Sequence, residues 1–74
     1  MTNNRRSVSI PYLRAYRLAK QWTLDDLHHR SDVAVATLSR VENGGTAYPA
    51  TARRLARALG ISVEQLLNEP PYSA

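Results

Sequence analysis

Apolar positions along the chain recur three and four residues apart, in short stretches bounded by glycine, proline or a capping residue. The first stretch opens near Pro11, a residue tolerated in a first helical turn, and runs to about Lys20 with Leu13, Tyr16 and Arg17 on one face. Trp22 follows as an expected core plug. Thr23 begins TLDD, an N-cap with an acid three residues on, and Asp25 and Asp26 place negative charge where the helix dipole favours it. That second helix is expected to reach about Arg30. After a break at 31–33 the pattern predicts a third helix over about 34–43, with Leu38 and Val41 inward and Gly44 placed for a left-handed C-cap. Pro49 opens a fourth helix, apolar at Leu55, Ala56 and Leu59 and closed by Gly60. Ser62 with Gln65 forms a capping box for a short fifth helix carrying Val63, Leu66 and Leu67. The closing EPPYSA cannot be helical. No stretch alternates apolar and polar residues over six positions with the β-branched and aromatic enrichment of a strand, so no sheet is expected and the class is all-α.

Composition narrows the function. Seventy-four residues, ten Lys+Arg against six Asp+Glu and a formal charge of +4 describe one small basic domain. It divides into a flexible basic arm at 1–9 holding Arg5 and Arg6, a helical domain at 10–68 and a flexible tail at 69–74. A core this small rarely supplies more than about 3–5 kcal/mol, which makes support from a second subunit plausible. With no cysteine there are no disulfides, thiolate zinc sites or cysteine nucleophiles. The longest apolar run, 33–36, is far short of a membrane span, and a cytoplasmic location is expected. His28 and His29 are helical neighbours whose side chains point about 100° apart, so they cannot chelate one ion together and no metal site is expected. No GxSxG or phosphate-loop pattern is present, the acids beside Thr23 have a capping role, and the reading is of a non-enzyme without a cofactor.

Two helices of about eight and ten residues with a three-residue break have the layout of a helix-turn-helix, whose second member enters the DNA major groove. The segment TLDDLHHRSDVAVATLSRVENG, with LRAYRLAKQW before it and RRLARALGISVEQLL after it, resembles the Cro and phage-repressor (XRE-like) regulators. The resemblance covers residues 13–67, and LSRVENG at 38–44 is its strongest local signature. It implies a compact five-helix lambda-repressor-like domain, binding double-stranded operator DNA as a two-fold homodimer with the third helix reading bases. It also implies a structural ion pair between Arg17 and Glu42, and a subunit-pairing region around Ile61, Val63 and Leu66.

Val35, Ala36, Ser39 and Arg40 follow an i, i+1, i+4, i+5 pattern on the face opposite Leu38 and Val41 and match the family's base-reading positions. Arg40 can offer a bidentate pair to guanine, Val35 and Ala36 can pack on thymine methyls, and Ser39 can bond a base or a phosphate. Thr23 and Asn43 match backbone-contact positions, and Thr46 lies where amides near the fourth helix could meet phosphate. Arg5 and Arg6 could reach phosphates or the minor groove, whereas Arg53, Arg54 and Arg57 read as a solvated face with long-range attraction for DNA. The chain also departs from the family. Leu24 replaces a phosphate-contacting glutamine, His28 a small alanine at the helix crossing, Asp32 the glycine of the turn and Ala34 a polar cap, while 45–48 lacks basic side chains. The resulting expectation is a sequence-specific transcriptional regulator, a repressor rather than an activator. The alternatives are a protein-interaction module of the same fold, antitoxin-like or partner-binding, which would use Leu24, Val35 and Ala36 as an apolar patch, or a small controller protein.

Overall fold

In a computed structural model, which describes residues 6–72, five helices surround a core filled by Ile10, Leu13, Leu27, Leu38, Leu55, Leu59 and Leu66, each at most 1% exposed. The order is β1 (Val8–Ser9), α1 (Leu13–Ala19), α2 (Leu24–Ser31), α3 (Val35–Glu42), β2 (Thr46–Ala47), α4 (Pro49–Leu59) and α5 (Val63–Asn68). α2 packs against both α3 and α4, and α1 bridges α3 and α5. Each helix contributes one apolar stripe, so the core is built by five short elements that could not persist alone at this length.

Helix ends are set by local chemistry. Thr23 accepts from the Asp26 amide while the Asp26 carboxylate accepts from the Thr23 amide, and Ser62 and Gln65 repeat that reciprocal box at α5. Pro49 occupies the first turn of α4. α3 and α4 close alike, with Gly44 at φ +103° and Gly60 at φ +73°, and the next amide returns to a carbonyl inside the helix. α1 ends the same way without glycine: Gln21 adopts φ +60°, and the Gln21 and Trp22 amides donate to the Leu18 and Arg17 carbonyls.

Four expectations need correction. A sheet is present: β1 and β2 pair antiparallel, Val8 opposite Ala47 and Ser9 opposite Thr46. Strands of two residues are too short to carry an alternating pattern, and the ribbon is held by burial of Ala47 and partial burial of Val8 on the core. α1 starts at Leu13 rather than at Pro11, because Pro11 and Tyr12 form a turn and the Leu13 amide donates to the Ile10 carbonyl. Trp22 is a half-buried rim residue, its ring covered by Arg30 at 4.5 Å and Lys20 at 5.7 Å. Leu66 is wholly buried in the protomer, which leaves only Ile61 and Val63 of the expected pairing region partly accessible.

Candidate nucleic-acid interface

The turn between α2 and α3 sets how α3 is presented. Asp32 adopts φ +61°, a conformation aspartate tolerates better than most residues, and its amide donates to the His28 carbonyl at 2.9 Å. Ser31 is buried; its hydroxyl donates to the Leu27 carbonyl at 2.7 Å and accepts from the Val33 amide at 3.2 Å. The half-buried His28 ring donates from Nδ1 to the Val33 carbonyl at 2.9 Å. Three polar groups therefore close a turn that small residues close in the resembled pattern. Ala34 caps α3 without a side-chain hydrogen bond, leaving the first amides of α3 without a side-chain acceptor from that position.

The far end of α3 is pinned to α1. The Glu42 side chain is 2% exposed and accepts Arg17 in a two-pronged pair, Nε to Oε2 at 2.7 Å and Nη2 to Oε1 at 2.9 Å. Arg17 also donates from Nη1 to the Trp22 carbonyl at 2.8 Å. Sequence reasoning missed Arg14, which adds a donor to Glu42 Oε1 at 3.1 Å and another to Asn43 Oδ1 at 3.3 Å. Its signal was its place three residues before Arg17, on the same flank of α1. Burial alone would push the Glu42 carboxyl up, but the hydrogen bonds from Arg17 and Arg14 outweigh it and hold the group below the ordinary carboxylate range. The same hydrogen bond raises Arg17 further, against a smaller effect of burial.

Between these two supports lies an open face. Val35 and Ala36 are exposed at the first turn of α3 and Ser39 is half-buried on the next. Arg40 is exposed, and its Nη1 donates to the Thr46 carbonyl at 2.8 Å. The exposed Asn43 side chain is engaged within the protein, donating to the Ser39 carbonyl at 2.8 Å and accepting from Arg14. Thr23 is exposed but spends its hydroxyl on the α2 cap, whose Thr23 amide and hydroxyl hold the Asp26 carboxyl below its ordinary value. Thr46 is exposed at the start of β2, and Arg6 is exposed just ahead of β1; Arg5 lies outside the described residues. Leu24, offered as part of an apolar partner patch, packs on the core instead and lies apart from Val35 and Ala36 in exposure. Arg30, Arg54 and Arg57 line a separate groove of about 400 Å³ with Ser31, Asp32 and Ala58.

Five helices with a polar-locked turn and an outer face on the third that is exposed at Val35, Ala36 and Arg40 define a helix-turn-helix domain. The helix-turn-helix family model matches residues 13–66, and the chain belongs to this family, in its XRE-type regulator branch. It is 42% identical over 62 residues to the HTH-type transcriptional repressor RghR of Bacillus subtilis, a match covering 81% of this chain and 46% of that protein. To the uncharacterized HTH-type transcriptional regulator RghRB of the same organism it is 40% identical over 57 residues, covering 74% and 41%. The chain thus spans less than half the length of these curated relatives. Its fold is similar to the biofilm master regulator SinR solved in complex with DNA, with a TM-score of 0.70, 26% identity and coverage of 76% of this chain and 92% of that one. A hypothetical transcription factor from Neisseria, NHTF, superposes with a TM-score of 0.72 at 28% identity, covering 81% and 69%.

Proposed function

We propose that the chain binds operator DNA as a transcriptional repressor, with α3 in the major groove. The observation that carries this is the exposed first turn of α3, Val35 and Ala36, held between the Ser31–His28 lock at one end and the Arg17–Glu42 pair at the other. A reading helix must be presented rigidly, because contacts to base edges depend on its register and angle. Val35 and Ala36 offer apolar contact to thymine methyls and Ser39 a hydroxyl to a base or phosphate, with Arg40 at the border of this face. Thr23, Asn43, Thr46, Arg5 and Arg6 are the proposed backbone contacts, and the excess of basic residues supports a salt-dependent attraction for the duplex. The similarity to a repressor and to a regulator solved with DNA supports the same reading.

The domain acts as a homodimer in this proposal, through the partly buried Ile61, just before α5, and Val63, its first residue, with half-sites about 34–36 Å apart. No helix among the described residues is long and apolar enough to cross a membrane, in keeping with a cytoplasmic place of action. The test is selection from random duplex DNA followed by anisotropy and light scattering on the selected site. Enrichment of a two-fold-related sequence bound by two copies supports the proposal. A protein that binds no duplex at any salt concentration overturns it in favour of a partner-binding module.

A further inference from the structure

Arg40 leaves α3 on its second turn, yet its guanidinium does not run along the helix toward Val35 and Ala36. It turns the other way, to the Thr46 carbonyl at 2.8 Å. The side chain lies over Gly45, where a Cβ would stand 2.9 Å from Arg40 Cγ, 3.0 Å from Nη1 and 2.8 Å from the Arg40 carbonyl oxygen. Gly45 has no positive φ to accommodate, so the glycine there supplies space and not torsional freedom. Its amide donates to the Arg40 carbonyl at 2.9 Å, so backbone and side chain of Arg40 hold two adjacent residues, Gly45 and Thr46. Thr46 is paired with Ser9 across the ribbon, and Ser7 lines the same recess of about 390 Å³ as Arg40, Thr37 and Thr51.

We propose that Arg40 is a positioning residue: it clamps the β1–β2 ribbon to the C-terminal half of α3, sets where Arg6 and Ser7 run beside that helix, and itself discriminates no base. A ribbon of two residues per strand has little pairing strength of its own. A hydrogen bond from a guanidinium is roughly twice as strong as a neutral one, and among the described residues Arg40 has no carboxylate competing for it. The arm's entry into β1, at Arg6 and Ser7, is thereby tied to the reading helix by one side chain. The consequence for DNA rests on the function proposed for α3, whereas the clamp can be read on the free protein.

The first measurement is amide exchange by NMR without DNA, on wild type, Arg40→Ala, Arg40→Lys and Gly45→Ala. Losing a charged hydrogen bond should speed exchange at 8, 9, 46 and 47 by about tenfold or more in Arg40→Ala, with α2 and α4 unchanged and Arg40→Lys part-way back. Gly45→Ala keeps the charge but sets a Cβ against both the Arg40 carbonyl oxygen and its side chain, so ribbon exchange should speed there as well, and Arg40→Ala with Arg40→Lys decides the clamp. Unchanged ribbon exchange in Arg40→Ala overturns the clamp. The second measurement is affinity for single-base variants of a selected duplex, with Arg6→Ala, Arg40→Ala and the double variant. The Arg6→Ala effect should shrink by about threefold or more once Arg40 is gone, with the ranking of base variants preserved. Loss of preference at one base position in Arg40→Ala, with the Arg6→Ala effect intact, makes Arg40 a base reader and overturns the proposal. If wild type binds no duplex, the proposed function fails and the exchange result alone decides the clamp.

Discussion

Replacing Glu42 by alanine leaves the Arg17 guanidinium, 12% exposed, with the Trp22 carbonyl as its remaining partner. Deleting one partner of a covered ion pair costs about 3–5 kcal/mol, mostly because the other charge stays desolvated and uncompensated. The lower end applies, since Arg17 keeps one carbonyl and an edge in water. Arg14 is 53% exposed, so its bond to the same carboxylate is worth at most about 1 kcal/mol. For a domain of this size each kcal/mol shifts the midpoint by about 4–8 °C, so Glu42→Ala at about 3 kcal/mol should lower Tm by about 12–24 °C and Arg14→Ala by no more than about 8 °C. Circular dichroism follows the helices, and the fluorescence of Trp22, the single tryptophan, follows the corner that Arg17 and Arg30 close. A Glu42→Ala midpoint within about 3 °C of wild type, or an Arg14→Ala loss as large as that of Glu42→Ala, would refute the assignment of stability to the Arg17 pair.

The same carboxylate makes a pH prediction. Its folded pKa lies below the unfolded value, because the two arginine bonds outweigh burial. Such a group contributes stability above its unfolded pKa of about 4.3, and that contribution is lost as pH falls through the folded value. Wild-type Tm should therefore drop more steeply below about pH 4 than that of Glu42→Gln, and parallel curves would contradict a depressed folded pKa.

Three further substitutions test the local bonds that hold α2, the turn and α3. Thr23→Ala removes the hydroxyl that caps α2 and should cost about 1 kcal/mol, read as a Tm loss of about 4–8 °C; a neutral result would mean that the exposed box contributes nothing in water. Ser31→Ala strands the buried Val33 amide and should cost about 1–3 kcal/mol in chemical denaturation with an unchanged m-value. His28→Ala should fold and lose about 0.5–1.5 kcal/mol with the bond to the Val33 carbonyl, and a clear gain in stability would show that the ring strains the crossing.

What could be read from the sequence divides by the range of the interaction. Helix ends were legible where one residue or a three-residue box determines them: Thr23 with Asp26, Pro49, Gly44, Gly60, Ser62 with Gln65. The α1 end was less so, because Gln21 takes a left-handed conformation that no residue type at that position advertises. The ribbon was illegible since its pairing joins residues nearly forty positions apart through two-residue strands. In the site, the outward face of α3 follows from periodicity alone, whereas the placement of the Arg40 guanidinium depends on Gly45 and Thr46 folding back under it. Periodicity gives the direction of a Cβ; for a long side chain, the partner that captures its end decides where the charge sits.

The departures from the resembled pattern are likewise not independent of one another. A small residue at the crossing and a glycine in the turn let two helices approach by having no volume to clash. Here an imidazole occupies the crossing, and its Nδ1 proton goes to the carbonyl of Val33, while the amide of Asp32 returns to the carbonyl of His28 itself. His28 thus binds the turn with both its ring and its backbone, and Ser31 supplies the remaining acceptor for the Val33 amide. No buried side-chain nitrogen or oxygen among the described residues lacks a partner, so the polar substitutions at 28 and 32 carry no unsatisfied group into the interior. The angle of α3 is then fixed by directional bonds in the turn just before it and by a two-pronged ion pair at its last turn. A helix held at both ends in this way presents Val35 and Ala36 in one register, as the base contact proposed for them requires.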